Sequence, residues 1–85
     1  MNTLFLLMAE FNGRAEIPLS EICEQYFDLS QKKSKQRAAA QQLPVPVHRL
    51  GSQKSKWMVN LADLAAYIDA QRAEAIEEWK KVNAA

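Results

Sequence analysis

Apolar and polar positions change rhythm several times along this chain, and each rhythm predicts an element. Over residues 3–11, Leu4, Leu7, Met8 and Phe11 recur at the i, i+3, i+4, i+7 spacing of one helix face, while Phe5 and Leu6 point elsewhere. So much apolar surface on a short helix predicts cover on more than one side, from the domain, the C-terminal helix or a second subunit. Asn12-Gly13 ends that helix, and residues 14–17 read as a short extended connector closed by Pro18, with only a weak strand signal. Ser20 then fits as the cap of a helix over residues 21–27, with Glu21 and Glu24 near its positive end and Ile22, Cys23, Tyr26 and Phe27 as the inward stripe. Leu19 is expected on the same core.

Only Asp28 and Leu29 stand before the next cap, Ser30, so two short helices meet at a tight corner and a helix-turn-helix is predicted. On a wheel centred on Ser34, the second of them (31–42) places Ala38 and Gln41 inward. Lys32, Lys33, Gln36 and Ala40 lie broadly opposite, with Lys35 and Arg37 on the flanks. Pro44 and Pro46 exclude a helix interior or central strand, so residues 43–47 form an edge strand or a rigid lead-in. Val45, Val47 and Arg49 alternate with Pro46, His48 and Leu50, residues 51–55 are turn formers, and residues 56–59 form a strand with Trp57 and Val59 on one side. The result is a β-hairpin with a basic tip, a wing able to reach phosphates or a minor groove. Asn60 caps a last helix over residues 61–82, with Asp63 at its third position as in a capping box. Its stripe of Leu61, Leu64, Ala65, Ile68, Arg72, Ala75, Trp79 and Val82, with Ile76 at the margin, is longer than one small core requires. The distal part, with Ile76 and Trp79, is therefore expected to lean on the N-terminal helix with its Leu4, Phe5 and Met8, on a second subunit in a homodimer, or partly on both. The alternative is a clasp within the chain between residues 4–11 and this helix.

At 85 residues and 48% hydrophobic content, the expectation is one domain over residues 1–85 with a core near the lower size limit. Its parts are a helix-turn-helix at about 19–42, a wing at about 43–59 and the C-terminal helix, which makes a mainly α fold with a small β-hairpin. Cys23 has no partner for a disulfide and reads as a small buried hydrophobe. The apolar run over residues 4–9 is too short to span a bilayer and lacks a basic leader, so a cytoplasmic protein is expected.

Charge alters the picture more than composition does. The net value is +1, yet residues 1–28 carry five acids (Glu10, Glu16, Glu21, Glu24, Asp28) against Arg14, a net −4. Residues 29–62 hold no acid and seven bases (Lys32, Lys33, Lys35, Arg37, Arg49, Lys54, Lys56), a net +7, and residues 63–85 return to −2. A basic middle between acidic ends marks an oriented surface for a polyanion. Lys32 and Lys33 also fall in the first turn of their helix, where the macrodipole repels cations by roughly 0.3–1 kcal/mol each. Stability alone would place acids there, and a phosphate backbone is the natural compensation. Lys32, Lys33, Lys35, Arg37, Arg49, Gln53, Lys54 and Lys56 are thus candidate contacts to DNA, and Gln36, whose amide can bond a base edge bidentately, is the candidate reader, joined by Lys33 or Arg37. His48 reads as a surface or phosphate-contacting group. One His, one Cys and two glycines supply no catalytic set, cofactor cradle or metal cluster, so neither enzyme activity nor a cofactor is expected.

Helix, tight turn, basic helix, two prolines, basic hairpin and an Asn-Leu-Ala-Asp-Leu entry into a long helix are similar to the winged helix-turn-helix of the excisionase, AlpA and MerR-like group. More specifically, the chain resembles the pyocin activator protein (PrtN) family through NTLFLLMAEFNG at 2–13, IPLSEICEQYF at 17–27, LPVPVHRLGSQKS at 43–55 and VNLADLAAYIDA at 59–70. Residues 31–42 match least well. The resemblance implies a sequence-specific DNA-binding activator of prophage or phage-tail-like genes, nucleoid-associated when bound to double-stranded DNA, with RNA polymerase as a further partner. Two other readings stay open: an excisionase-like architectural factor that bends DNA, and a protein-interaction module acting through its C-terminal helix.

Overall fold

In the computed structural model, which describes residues 2–51 and 55–84, local capping chemistry sets most element boundaries. Helix α1 (Thr3–Glu10) opens with the Asn2 side chain accepting from the Leu4 N–H at 2.8 Å. It closes where Asn12 (φ 57°) and Gly13 (φ 75°) turn left-handed and the Gly13 N–H reaches the Met8 carbonyl at 2.7 Å. Strand β1 (Glu16–Pro18) follows, and helix α2 (Leu19–Phe27) starts directly from it. Asp28 in the left-handed region (φ 53°) ends α2. Ser30 then caps helix α3 (Gln31–Ala39), its hydroxyl accepting from the Lys33 N–H at 3.2 Å.

Strands β2 (His48–Arg49) and β3 (Trp57–Asn60) form the wing, and the sheet order is β1-β3-β2, antiparallel throughout. Ile17 opposes Val59 in the ladder, and both are completely buried. Helix α4 (Leu61–Asn83) leaves β3 without a loop, capped by the Asn60 side-chain oxygen on the Ala62 N–H at 2.9 Å. The core gathers Leu7, Phe11, Leu19, Ile22, Cys23, Ala38, Val45, Val47, Leu61, Leu64 and Ala65 around the Ile17–Val59 pair. A mainly helical chain with a small antiparallel sheet and a long C-terminal helix is the winged helix-turn-helix architecture expected.

Several boundaries differ from expectation. Residues 16–18 are a true edge strand, because the ladder to β3 and the bond from the Leu61 N–H to the Ala15 carbonyl (2.8 Å) hold them. No local alternation announces that pairing. Ser20 is not the α2 cap: Pro18 occupies that position with φ −59° and no side-chain bond, and Ser20 lies inside the helix. Helix α3 stops at Ala39 rather than at residue 42. Gln41 turns left-handed (φ 56°), redirecting the chain so that Val45 and Val47 enter the core, and Gln41 is exposed rather than inward. Residues 43–47 are a lead-in, not a strand. Finally, Met8 is exposed although its spacing places it on the buried stripe of α1.

Helix α4 departs furthest. Its first turns bury Leu61, Leu64 and Ala65 and half-bury Tyr67 and Ile68, whereas residues 69–84 are exposed throughout. Helix α1 packs on the first half only, and the Thr3 hydroxyl meets the Asp69 carboxylate at 2.5 Å. The clasp of residues 4–11 against the last helix is therefore present on the first half of α4, where Leu4 joins the core, but does not reach Trp79, which is 65% exposed. With 23 residues, α4 extends about 35 Å, which accounts for the 55 Å long dimension of a molecule only 27 × 16 Å across.

Candidate nucleic-acid interface

Small side chains decide how α3 is presented. Ser34 and Ala38, one turn apart, are fully buried against the rest of the helix-turn-helix, and the Ser34 hydroxyl satisfies itself by donating to the Gln31 carbonyl at 2.9 Å. That seats α3 close to α2 and leaves Lys32, Lys33, Lys35, Gln36 and Arg37 exposed. None of these four cations forms an ion pair among the described residues. A second tie fixes α3 at its start, where the Gln31 side-chain amide donates to the Ser20 carbonyl at 2.7 Å.

The five α3 residues do not share one surface. Lys35 turns away from the outer face toward the wing and lines a cleft of about 430 Å³ between α3 and the hairpin. The α3 wall is Gln31, Ser34 and Lys35, Leu19 and Ser20 of α2 lie at its base, and Arg49, Ser55, Lys56 and Trp57 form the wing side. Three cations from three segments thus converge on one concavity with no carboxylate in its lining. On the wing wall Arg49 and Trp57 are cross-strand partners, with the guanidinium carbon 4.1 Å from the indole ring centre.

Acids near the cleft are engaged elsewhere. Glu21, next to Ser20, is held at 2.7 Å by Arg14. That hydrogen bond, with the charges of Arg14 and Lys56 adding to it, keeps the Glu21 carboxyl below its ordinary range, and Arg14 is raised in return. Glu16 lies 3.1 Å from His48 Nε2 and accepts a bond from the Asn60 side chain at 3.0 Å. His48 is therefore a half-buried partner of β1, not a free surface group. Among the described residues no three His, Cys, Asp or Glu side chains gather as metal ligands, and no helix is long and apolar enough to cross a membrane.

Of the residues the sequence singles out, Lys32, Lys33, Gln36 and Arg37 remain on the exposed side of α3, while Lys35, Arg49 and Lys56 meet in the cleft. Gln53 and Lys54 lie outside the described residues. Ser20, Gln31, Ser55 and Trp57 belong to the cleft without having been singled out for it. Only Trp57 carried a signal, as the large side chain alternating with Val59 on the strand beside a basic turn.

The profile of the family described as "Pyocin activator protein PrtN" matches residues 3–75 of the chain. No curated protein and no solved structure matches.

Proposed function

Because this chain belongs to the pyocin activator protein PrtN family, we propose that it is a sequence-specific DNA-binding activator of pyocin-type, phage-tail-like genes. In this reading α3 enters the major groove, Lys32 and Lys33 hold phosphate, Gln36 reads a base edge with Lys33 or Arg37, and the wing rests on the backbone or minor groove. The observation that carries it is the set of exposed cations on α3 that form no ion pair among the described residues, of which Lys35 faces the basic wing across a shared cleft. The protein would work in the cytoplasm on the nucleoid, with RNA polymerase as its second partner. The test is binding to duplex fragments from such promoters across a salt series. If four to six phosphates are neutralised, the log–log slope is roughly −4 to −5 per protomer. Lys33→Ala should weaken all duplexes alike, whereas changing Gln36 should alter the order of preference among them. Equal losses on every sequence after a Gln36 change would remove the readout role.

One observation favours a second reading, DNA bending by an excisionase-like architectural factor. Leu50, just after β2, is 59% exposed on the wing beside Arg49, where an apolar side chain suits a wedge between base steps. Circular-permutation bending assays on wild type and Leu50→Ala separate the two readings, since activation without bending leaves mobility independent of site position.

A homodimer completes the proposal. Ile76, Trp79 and Val82 are exposed on the unpacked half of α4, and Phe5 and Leu6 are exposed on α1. A second copy is the proposed cover, placing two α3 helices on one duplex.

A further inference from the structure

The cleft between α3 and the wing carries a more specific assignment, which rests on the DNA-binding reading. Its chemistry is divided. Lys35, Arg49 and Lys56 bring positive charge, Ser20 and Ser55 bring hydroxyls, and the Trp57 indole brings apolar surface above the buried Leu19. Lys35 and Lys56 face the concavity from opposite walls and would draw an anion between them, while the Glu21 carboxylate, on which the Lys56 charge also acts, is hydrogen-bonded by Arg14. A volume of about 430 Å³ exceeds what a lone phosphate needs, and falls in the range of pockets that enclose small organic ligands. Cationic walls beside the half-buried indole suit a phosphate joined to a sugar, with the anion between Lys35 and Lys56 and the deoxyribose against Trp57.

We propose that this cleft is a phosphate–sugar site that clasps one backbone nucleotide of the bound duplex between α3 and the wing. Lys35 and Lys56 then act on the same phosphate from opposite walls, and this shared contact fixes the register in which α3 meets the bases. Lys32 and Lys33, outside the cleft, contact other phosphates independently. The stacked Arg49–Trp57 pair keeps the wing wall in place and closes the site on the sugar side. The same chemistry would accept a free nucleotide, so the experiment must separate the two sources.

A double-mutant cycle does so. Lys35→Ala and Lys56→Ala are exposed substitutions, and circular dichroism verifies that the variants remain folded. Each is expected to weaken duplex binding about tenfold, as loss of one charge-assisted contact does, and the double variant about twentyfold rather than a hundredfold, because the second change removes a contact already broken. The control pair, Lys33→Ala with Lys56→Ala, should multiply in full. Full multiplication for Lys35 and Lys56 as well would overturn the shared-phosphate site while leaving DNA binding intact. Trp57 fluorescence, isolated as the part of the wild-type signal that Trp57→Phe removes, reports cleft occupancy. A change on adding duplex but none with millimolar deoxyadenosine monophosphate or inorganic phosphate supports the backbone as the source. A saturable response to the free nucleotide that displaces duplex and disappears in Lys35→Ala overturns the backbone assignment in favour of a nucleotide site. If wild type binds no duplex, the DNA-binding reading fails; the cleft's phosphate–sugar chemistry then survives only with that same nucleotide response, and falls without it.

Discussion

The Arg49 guanidinium stacks 4.1 Å from the Trp57 ring centre across the two strands of the wing, at the one pair of residues that also lines the cleft facing α3. Strand β2 contains only two residues, and so short a ladder depends on side-chain pairs for its order. Arg49→Ala should cost about 0.5–1 kcal/mol in chemical denaturation, the value of a partly exposed cation–π contact, and should lower protection of the wing amides against hydrogen exchange more than those of α2. Arg49→Lys keeps the charge but loses the planar stack. If Lys restored amide protection fully, charge rather than stacking would be holding the wing.

How much of this was legible in the sequence follows from the range of the interactions involved. Ser30 and Asn60 announced their helices because a cap bonds a backbone N–H two or three residues away. The inward pair Ser34 and Ala38 was equally readable from a wheel. Strand β1 was not, since Glu16–Pro18 is held by β3, more than forty residues later, and three residues ending in proline show no alternation. The early end of α3 was hidden for a similar reason: Gln41 adopts its left-handed turn to deliver Val45 and Val47 to the core, a demand imposed from outside the helix. The charge block named Lys35, Arg49 and Lys56 as candidates, but only the β2–β3 pairing brings them around one cleft and separates Lys35 from Lys32 and Lys33.

Tyr26 links three parts of the fold and makes stability sensitive to alkali. Its hydroxyl donates to Glu10 at 3.0 Å, and its carbonyl accepts from the Tyr67 hydroxyl at 3.4 Å. Burial first, then the bond to Glu10 and its negative charge, push the Tyr26 phenol up to about 12. A group whose value rises on folding stabilises fully below its unfolded value, about 10 for tyrosine, and that contribution disappears as pH climbs through about 12. Stability should therefore fall between those two values, and Tyr26→Phe should flatten the fall. Absorbance titration at the tyrosinate band checks the assignment, because the variant should lose the late-ionising component.

The overhanging half of α4 predicts a separation between folding and association. Ile76 and Trp79 are exposed and lie outside the core cluster, so replacing both with Ala should change the stability of the dilute protein by no more than about 0.5 kcal/mol, as for surface changes elsewhere. Sedimentation at rising concentration should show wild type moving to a dimer and the double variant remaining a monomer. If both sediment as the same species, the exposed stripe is not the homodimer surface. A dimer lost together with high-affinity DNA binding, at unchanged affinity for a single half-site, would tie the two functions through geometry.

The lysines at the start of α3 test whether binding or stability shaped that helix. Lys32 and Lys33 lie in its first turn, which contains no acid, and neither forms an ion pair among the described residues. Both therefore face the positive end of the macrodipole, at a cost of roughly 0.3–1 kcal/mol each at low salt. Replacing both with Gln should leave the protein as stable as wild type or more stable by up to about 2 kcal/mol, with the gain shrinking as salt rises. DNA affinity should fall in the same variant, and its log–log salt slope should flatten by about 1.8, the amount for two lost phosphate contacts. The two measurements must move in opposite directions if the placement serves phosphate binding. A variant that loses stability while its salt slope stays unchanged would show instead that these lysines support the fold.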